Sequence, residues 1–238
     1  YLMKNKDTAN SKVLDFGCGE GKLLNILIEN DFDAYGVDIN HTKNNKKYLD
    51  NKLVEKNKLK LITEKDTLPF EDKYFDFIVS NMVFEHVFNI ELAASEIFRV
   101  LKNDGIAYLR FPSYEIIREG HTGILLTHRF KNKKLLKLYM NFAFFLGFGV
   151  NRQKHGTRKE WVDHMIDYLE NKTIYRKNHE ILKIFSEFNV IQKEISFLEF
   201  YFENSKFFKY LMSTRLRSLL IFAYKKYVTS DFELRKKI

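Results

Sequence analysis

Val13-Leu14-Asp15-Phe16-Gly17-Cys18-Gly19-Glu20-Gly21-Lys22 is the most informative stretch of this chain. A short apolar run holding Asp15 ends at Phe16, and three of the chain's ten glycines then fall within five residues. The following Lys22–Asn30 puts Leu23, Leu24, Leu27 and Ile28 on one side of a helix. A strand, a glycine loop and a helix in that order let backbone approach a ligand closely and turn helix N–H groups toward an anion. The spacing is G-x-G-x-G, which differs from the G-x-G-x-x-G of dinucleotide-binding loops. It is not a P-loop either, because Phe16 stands where that motif needs its first glycine and Leu23 where it needs Ser or Thr. Asp15 adds a sign to the site. A carboxylate two residues before the first glycine repels a pyrophosphate and suits a ligand carrying an ammonium group.

The same rhythm continues downstream. Ala34–Asp38 reads as a second strand, followed by a polar helix to about Asn57. Leu59–Thr63 reads as a third strand and Phe75–Ser80 as a fourth. Asn89 caps a helix whose Ala93, Ile97, Val100 and Leu101 share a face, and Asn103-Asp104-Gly105 turns into a fifth strand, Ile106–Phe111. Successive β-then-α units of this kind predict a parallel, doubly wound sheet. After Pro112 the pattern changes. Residues 113–180 contain basic and aromatic helical segments and no convincing strand, whereas Val190–Phe197 reads as a sixth strand. Leu219–Tyr224, running into Lys225-Lys226, reads as a seventh.

Asp38 closes the second strand, where an acid commonly accepts hydrogen bonds from ribose hydroxyls. Asp66 lies just past the third strand and suits an adenine amino group. Asp15, Asp38 and Asp66 thus sit near the C-terminal ends of consecutive strands, the edge at which open α/β sheets bind ligands. S-adenosylmethionine offers an amino-acid ammonium, a ribose and an adenine in that order.

On these residues the sequence resembles the class I S-adenosylmethionine-dependent methyltransferases of the type 11 kind, over 12–112. Val13–Gly21 is similar to that family's first motif, Tyr35-Gly36-Val37-Asp38 to its second and Asp66-Thr67-Leu68-Pro69-Phe70 to its third. Phe75–His86 is similar to its fourth strand and following turn, and Leu101–Leu109 to its fifth. The resemblance implies a Rossmann-like α/β fold with a doubly wound seven-stranded sheet, strand seven antiparallel, and a helical insertion between strands five and six. It implies that Asp15, Gly17 and Gly19 line the methionine end, Asp38 with Ile39 the ribose, and Asp66 with Thr67 the adenine. It also implies S-adenosylmethionine as cofactor and S-adenosylhomocysteine as product. The expected organisation is one domain over 1–238. Within it, 1–112 is a cofactor-binding core, 113–180 a helical insertion forming the acceptor site or lid, and 181–238 the completion of the sheet.

Methyl transfer from a sulfonium is an in-line displacement, and a hydroxyl or amine acceptor also has a proton to lose. Ser80 and Asn81 end strand four beside the expected methyl position, and Glu85 and His86 follow on the next turn. His86 is the first candidate base, with helix capping or packing the competing role. His121 and His128 form a second set, within His121-Thr-Gly-Ile-Leu-Leu-Thr-His128. A similar His-Thr-Gly-x-x-x-x-His stretch occurs in type 11 methyltransferases of bacterial surface-polysaccharide (capsule or O-antigen) clusters. It implies an acceptor pocket in which His121 or His128 is a base or hydrogen-bond donor, with Glu85, Tyr114 and Arg129 as substrate-binding candidates. No ligand-spacing rule supports a metal at His86, His121, His128 and His155, and none is expected.

Charge bears on the acceptor. Residues 1–112 hold 16 Lys/Arg and 18 Asp/Glu, net −2, whereas 113–238 hold 24 and 13, net +11. Such a basic half attracts an anionic metabolite, an acidic membrane face or nucleic acid, although a solvated Lys-rich surface would show the same numbers. One cysteine excludes an internal disulfide and fits a reducing, cytoplasmic compartment. Leu138–Val150 is apolar and aromatic, too short to span a bilayer. Core or lid packing is expected of it, with an interfacial helix on anionic lipid, at the inner face of the membrane, as the alternative. The leading expectation is O-methylation of a small anionic acceptor such as a sugar nucleotide or other capsule precursor. A lipid or quinone precursor comes second. RNA methylation ranks lower because no nucleic-acid module is present, and binding of the cofactor without turnover is the remaining class.

Overall fold

The computed structural model describes residues 10–39, 51–63, 65, 67–193, 205–227 and 229–237. They fall into two compact units. One comprises the described residues of Tyr1–Phe111, Leu182–Gln192 and Asp231–Ile238; the other comprises those of Pro112–Ile181 and Lys193–Ser230.

The first unit is built on a seven-stranded sheet: β1 (Lys12–Phe16), β2 (Asp33–Ile39), β3 (Leu59–Ile62), β4 (Phe75–Asn81), β5 (Leu101–Phe111), β6 (Phe188–Gln192) and β7 (Ser230–Lys236). The order is β3-β2-β1-β4-β5-β7-β6, so the expected α/β architecture is present. β1 pairs in parallel with β2 and β4, β2 with β3, and β4 with β5. β7 runs antiparallel to β6, with Val190 opposite Leu234. The crossovers use α1 (Lys22–Glu29), α2 (Asn51–Glu55) and α3 (Ile90–Val100). Sheet order reverses between β1 and β4, which opens the crevice for a ligand outside the carboxyl ends of the strands. Val13 and Leu14 are fully buried, as expected of a central strand covered on both faces. Asn89 caps α3 as its sequence predicts, its Oδ1 accepting from the Leu92 N–H at 3.1 Å.

Asn103-Asp104-Gly105 does not separate a helix from the fifth strand; it lies inside β5. Leu101 pairs with Phe75 and Ile106 with Phe77, so four residues of β5 stand against Asp76 alone. Asp76 is the reason the excursion is stable. Its carboxylate accepts from Lys102 Nζ at 2.6 Å and from the Lys12 N–H at 2.9 Å. A Cβ at Gly105 would come within 3.0 Å of the Asp76 carbonyl.

The strand expected at Leu219–Tyr224 is a correction. That run lies in a helix, Arg217–Tyr227, and the seventh strand is Ser230–Lys236. Leu220, Ile221 and Tyr224 pack together with Met212, which is a helical face, while Leu219 and Phe222 are exposed. β7 alternates in residue type instead: Phe232 and Leu234 are buried core, and the acids preceding each of them have cationic partners. Asp231 accepts from Arg110 Nε at 2.9 Å and Glu233 from Arg235 Nε at 2.7 Å. The sixth strand begins two residues earlier than expected and ends at Gln192; residues 194–197 of the expected strand, like 40–50 of the polar segment before α2, lie outside the described residues.

The second unit is helical: α4 (Lys133–Phe145), α5 (Arg158–Asn171), the start of α6 (Asn178–Ile184), α7 (Lys206–Ser213) and α8 (Arg217–Tyr227), with 3-10 turns at Thr127–Arg129 and Arg152–His155. Asn132 caps α4 by accepting from the Lys134 and Leu135 N–H groups. Gly147, at φ 93°, ends it: its N–H reaches the Phe144 carbonyl and that of Phe148 the Ala143 carbonyl, the two bonds of a Schellman motif. α5 opens on a capping box between Thr157 and Glu160. One face of each helix is buried. Leu136, Met140 and Ala143 pack on Trp161, Val162, Met165 and Ile166, and Trp161 Nε1 donates to the Val150 carbonyl at 2.9 Å.

Candidate cofactor cleft and histidine cluster

Three sharp backbone positions make the glycine loop. Gly17, Gly19 and Gly21 all have positive φ, 80°, 52° and 86°. The Gly17 and Cys18 N–H groups donate to the Val37 carbonyl at 2.8 and 3.0 Å, which extends the β1–β2 ladder into the loop. A Cβ on Gly17 would sit 2.3 Å from Val83 Cγ2, so the turn after β4 packs directly on this glycine. Asp38 closes the loop from the other side. Its Oδ2 accepts from the Gly19 N–H at 2.5 Å and its Oδ1 from the Ile39 N–H at 2.7 Å.

These elements border a cleft. Phe16, Gly17, Asp38 and Ile39 form one wall, Ile62, Thr63 and Leu68 continue it beyond β3, and Val83, Phe88 and Leu92 face them from the turn and α3. The lining is mostly apolar with two carboxylates, Asp38 at the rim of β2 and Glu96 on α3, the mix of apolar walls and few polar groups usual in small-molecule sites. Asp15, in β1 two residues before Gly17, is buried and does not itself line the cleft. Burial pushes its carboxyl up to about 7, and repulsion from Asp38 adds to this. A cation brought beside a buried carboxyl of this kind favours its ionised form. Cys18 is also buried; burial first, then the charges of Asp15 and Asp38, push its thiol up strongly, so it is not a nucleophile at neutral pH.

The structure therefore brings Gly17, Asp38 and Ile39 to the cleft, with Gly19 bonded to Asp38. Thr67 is exposed and lines a separate groove with Tyr35, Lys60 and Phe70. Asn81 is exposed at the end of β4, and Asp66 lies outside the described residues. An ion pair on α3 lies beside the cleft and is not among the expected site residues. Glu96, buried on α3, accepts from the Leu68 N–H at 2.6 Å and from Arg99 Nε and Nη2 at 2.9 and 2.8 Å. Arg99 also donates to the carbonyls of Leu68 and Phe70 and to Asp72. Its guanidinium holds the Glu96 carboxyl below the usual range against the opposing effect of burial. Together they fix the loop after β3 against α3. A Glu and an Arg three apart on one helix face was the available signal.

In the turn after β4, His86 N–H donates to the Val83 carbonyl at 2.7 Å. Glu85 is buried, with Oε1 3.9 Å from His86 Nε2, while His86 is half-buried.

His121 and His128 belong to the second unit, and they differ in kind. Glu119 is fully buried and accepts four bonds: from the His121 N–H and His121 Nδ1 at 2.8 Å each, from Tyr175 Oη at 2.5 Å and from the Thr122 N–H at 2.6 Å. Burial raises the Glu119 carboxyl, but the bonds from His121, Tyr175 and Thr122 outweigh it and bring it down to about 2. An ionised carboxylate can only accept, so His121 carries its proton on Nδ1 and its basic lone pair is on Nε2. His128 is oriented the other way round. Its Nε2 donates to the Tyr114 carbonyl at 3.0 Å, and burial holds its pKa below the usual histidine value. Arg129 Nη2 lies within 3.3 Å of the carbonyls of Tyr114, Glu115 and Ile116, so it is built into the same turn. The Tyr114 N–H donates to the Arg176 carbonyl, and its ring meets that of His128 edge-on at 5.5 Å. Glu119 and Tyr175 were not among the expected site residues.

The sequence profile of a methyltransferase domain matches residues 2–187. An uncharacterised protein of Methanocaldococcus jannaschii is 38% identical over 97 residues, covering 40% of this chain and 34% of that protein. A ubiquinone biosynthesis O-methyltransferase of Pelagibacter ubique is 29% identical over 114 residues, 44% of this chain and 43% of that enzyme. The chain thus spans less than half the length of these curated relatives. Among solved structures, an S-adenosylmethionine-dependent methyltransferase of Mesorhizobium loti superposes with a TM-score of 0.52 at 11% identity, covering 98% of this chain and 94% of that one. The MccD protein gives 0.51 at 16% identity, over 100% and 95%. At these identities the likeness is one of fold.

Proposed function

The chain belongs to the class I S-adenosylmethionine-dependent methyltransferases, and from that we propose that it O-methylates a small, hydroxylated, anionic acceptor, such as a sugar nucleotide or another surface-polysaccharide precursor. The observation that carries the reading is the Glu119–His121 pair, whose Nδ1–carboxylate bond of 2.8 Å orients an imidazole as a base.

The cofactor supplies an electrophilic methyl group on a sulfonium. The residues at and beside the cleft fit it. Gly17, against which Val83 packs with no space for a side chain, keeps the loop close to the cleft, Asp15 is a buried carboxyl that gains from a cation, and Asp38 presents carboxylate oxygens beside Gly19. In this reading Asp15 takes the ammonium, Asp38 with Ile39 the ribose, and Asp66 and the loop fixed by Glu96–Arg99 the adenine. His121 Nε2 accepts the proton that the acceptor hydroxyl loses. Glu119 stabilises the imidazolium so formed, and Tyr175 helps keep Glu119 ionised. His128 and Arg129 hold the backbone from Tyr114 to Ile116 in place. The net +11 of residues 113–238 favours an anionic acceptor.

A second reading, methylation of a quinone or lipid precursor, draws on the Pelagibacter ubique relative. Incubation with deuterated-methyl S-adenosylmethionine and separated polar, lipid and RNA extracts of the source organism, followed by mass spectrometry, distinguishes the readings. Label in an anionic polar metabolite, lost in His121→Ala while S-adenosylhomocysteine still binds, is the expected result. Label in lipid moves the assignment to the second reading, and label in RNA overturns both.

A further inference from the structure

α4 buries only one of its two apolar faces. Leu136, Met140 and Ala143 point into the core of the second unit. Leu135, Leu138, Phe142, Phe145 and Leu146 are between 54% and 75% exposed. At 3.6 residues per turn these five positions fall within about 100° of arc, so they form one continuous stripe along the helix rather than scattered surface residues. Phe148, in the turn that closes α4, extends the stripe and is exposed as well. Two phenylalanines and three leucines in line on water are not ordinary surface.

The charge around the stripe identifies what it faces. Residues 129–159 hold nine Lys and Arg and no Asp or Glu. Lys133 and Lys137 are paired with Glu170 and Asp163 of α5. Lys131, Lys134, Lys154, Arg158 and Lys159 are exposed and have no acidic partner among the described residues. Lys134 borders the stripe on α4 itself, and Lys131 and Lys154 lie just before and just after the helix and its closing turn. A second copy of this chain docked face to face would bring these cations together, which disfavours a two-fold partner. Among the described residues no helix is long and apolar enough to cross a membrane. A helix with a leucine and phenylalanine face flanked by lysine instead suits the boundary between lipid headgroups and acyl chains.

We propose that α4 is a peripheral membrane-docking helix. Leu135, Leu138, Phe142, Phe145 and Leu146 enter the interface of a bilayer carrying acidic phospholipids, and Lys131, Lys134 and Lys154 bind its headgroups. This holds for either acceptor, since it concerns where the enzyme works rather than what it methylates.

Phe145→Trp gives a direct test, because the native Trp161 is fully buried and contributes a constant background. In buffer the new tryptophan is expected to emit as a solvated indole. Vesicles of phosphatidylcholine and phosphatidylglycerol at 7:3 should shift its emission to the blue, and pure phosphatidylcholine vesicles should not. Added salt at 0.5 M, or Leu138→Ser with Phe142→Ser, should weaken partitioning at least about tenfold. Leu138→Trp reads the same face should Phe145→Trp fail to fold. No shift with the acidic vesicles overturns the proposal, as does equal binding to neutral ones. Blue-shifted emission before lipid is added would mean that protein, of this chain or a second copy, covers the stripe, and would overturn it too.

Discussion

Asp15→Asn should make the ligand-free protein more stable above neutral pH while destroying its hold on the cofactor ammonium. The carboxyl rises from 3.8 to about 7 on folding, through burial and then repulsion by Asp38. Below about pH 4 it is protonated in both folded and unfolded chains and has no effect on their balance. Between about pH 4 and 7 the unfolded chain releases the proton and the native protein retains it, so stability falls as pH rises; above 7 the loss is complete and constant. A separation of about three units corresponds to about 4 kcal/mol. Asparagine keeps the shape without the charge and escapes that loss. Urea unfolding followed by circular dichroism should show equal stability near pH 4 and, at pH 8, a midpoint about 1–2 M higher for the variant. Calorimetry at pH 8 should show S-adenosylhomocysteine affinity reduced at least about a hundredfold, since a buried charge partner is gone. A variant less stable than wild type at pH 8 would refute the reasoning, because it would mean that native contacts favour the carboxylate.

Gly17→Ala combines a left-handed φ of 80° with a Cβ placed 2.3 Å from Val83; it should destabilise by about 2–4 kcal/mol, and adding Val83→Ala should recover the steric share but not the backbone share in a double-mutant cycle. The Glu119 carboxyl is lowered from 4.5 to about 2, so its stabilisation is present above about pH 4.5 and lost as pH falls toward 2. Glu119→Gln should therefore remove about 3 kcal/mol at neutral pH and flatten the acid limb of the unfolding curve. Arg99→Met leaves Glu96 with a buried charge and frees the Leu68 and Phe70 carbonyls; it should cost about 2–3 kcal/mol and weaken cofactor binding more than it alters the rate at saturation, read as KM against kcat.

Local interactions were legible in the sequence and distant ones were not. The glycine loop, the strand ends at Asp15 and Asp38 and the Asn89 cap announce themselves in short stretches of sequence and stand where their spacing places them, although the loop is also held by Asp38, 19 residues from Gly19. β7 was missed because Ser230–Lys236 reads as polar; its acids are buried only because Arg110, 121 residues away, and Arg235 bond them. Leu219–Tyr224 was read as a strand because a six-residue apolar run does not reveal its own period, and its helical face emerges only from packing on Met212. Glu119 stands two residues before His121, yet its role depends on Tyr175, 56 residues later. The exposed stripe of α4 was ambiguous for the same reason. Periodicity gives two apolar faces, and only the fold decides which of them α5 covers.

The most direct test of the account is a calorimetric titration of S-adenosylhomocysteine into the wild-type protein and into Asp38→Ala. One site per chain, weakened at least about tenfold in the variant with no change in its unfolding transition beyond about 1 kcal/mol, is the predicted result. Absence of binding to the wild type, or equal affinity in the two proteins, would contradict the assignment of the cleft beside Gly17 and Asp38 as the cofactor site.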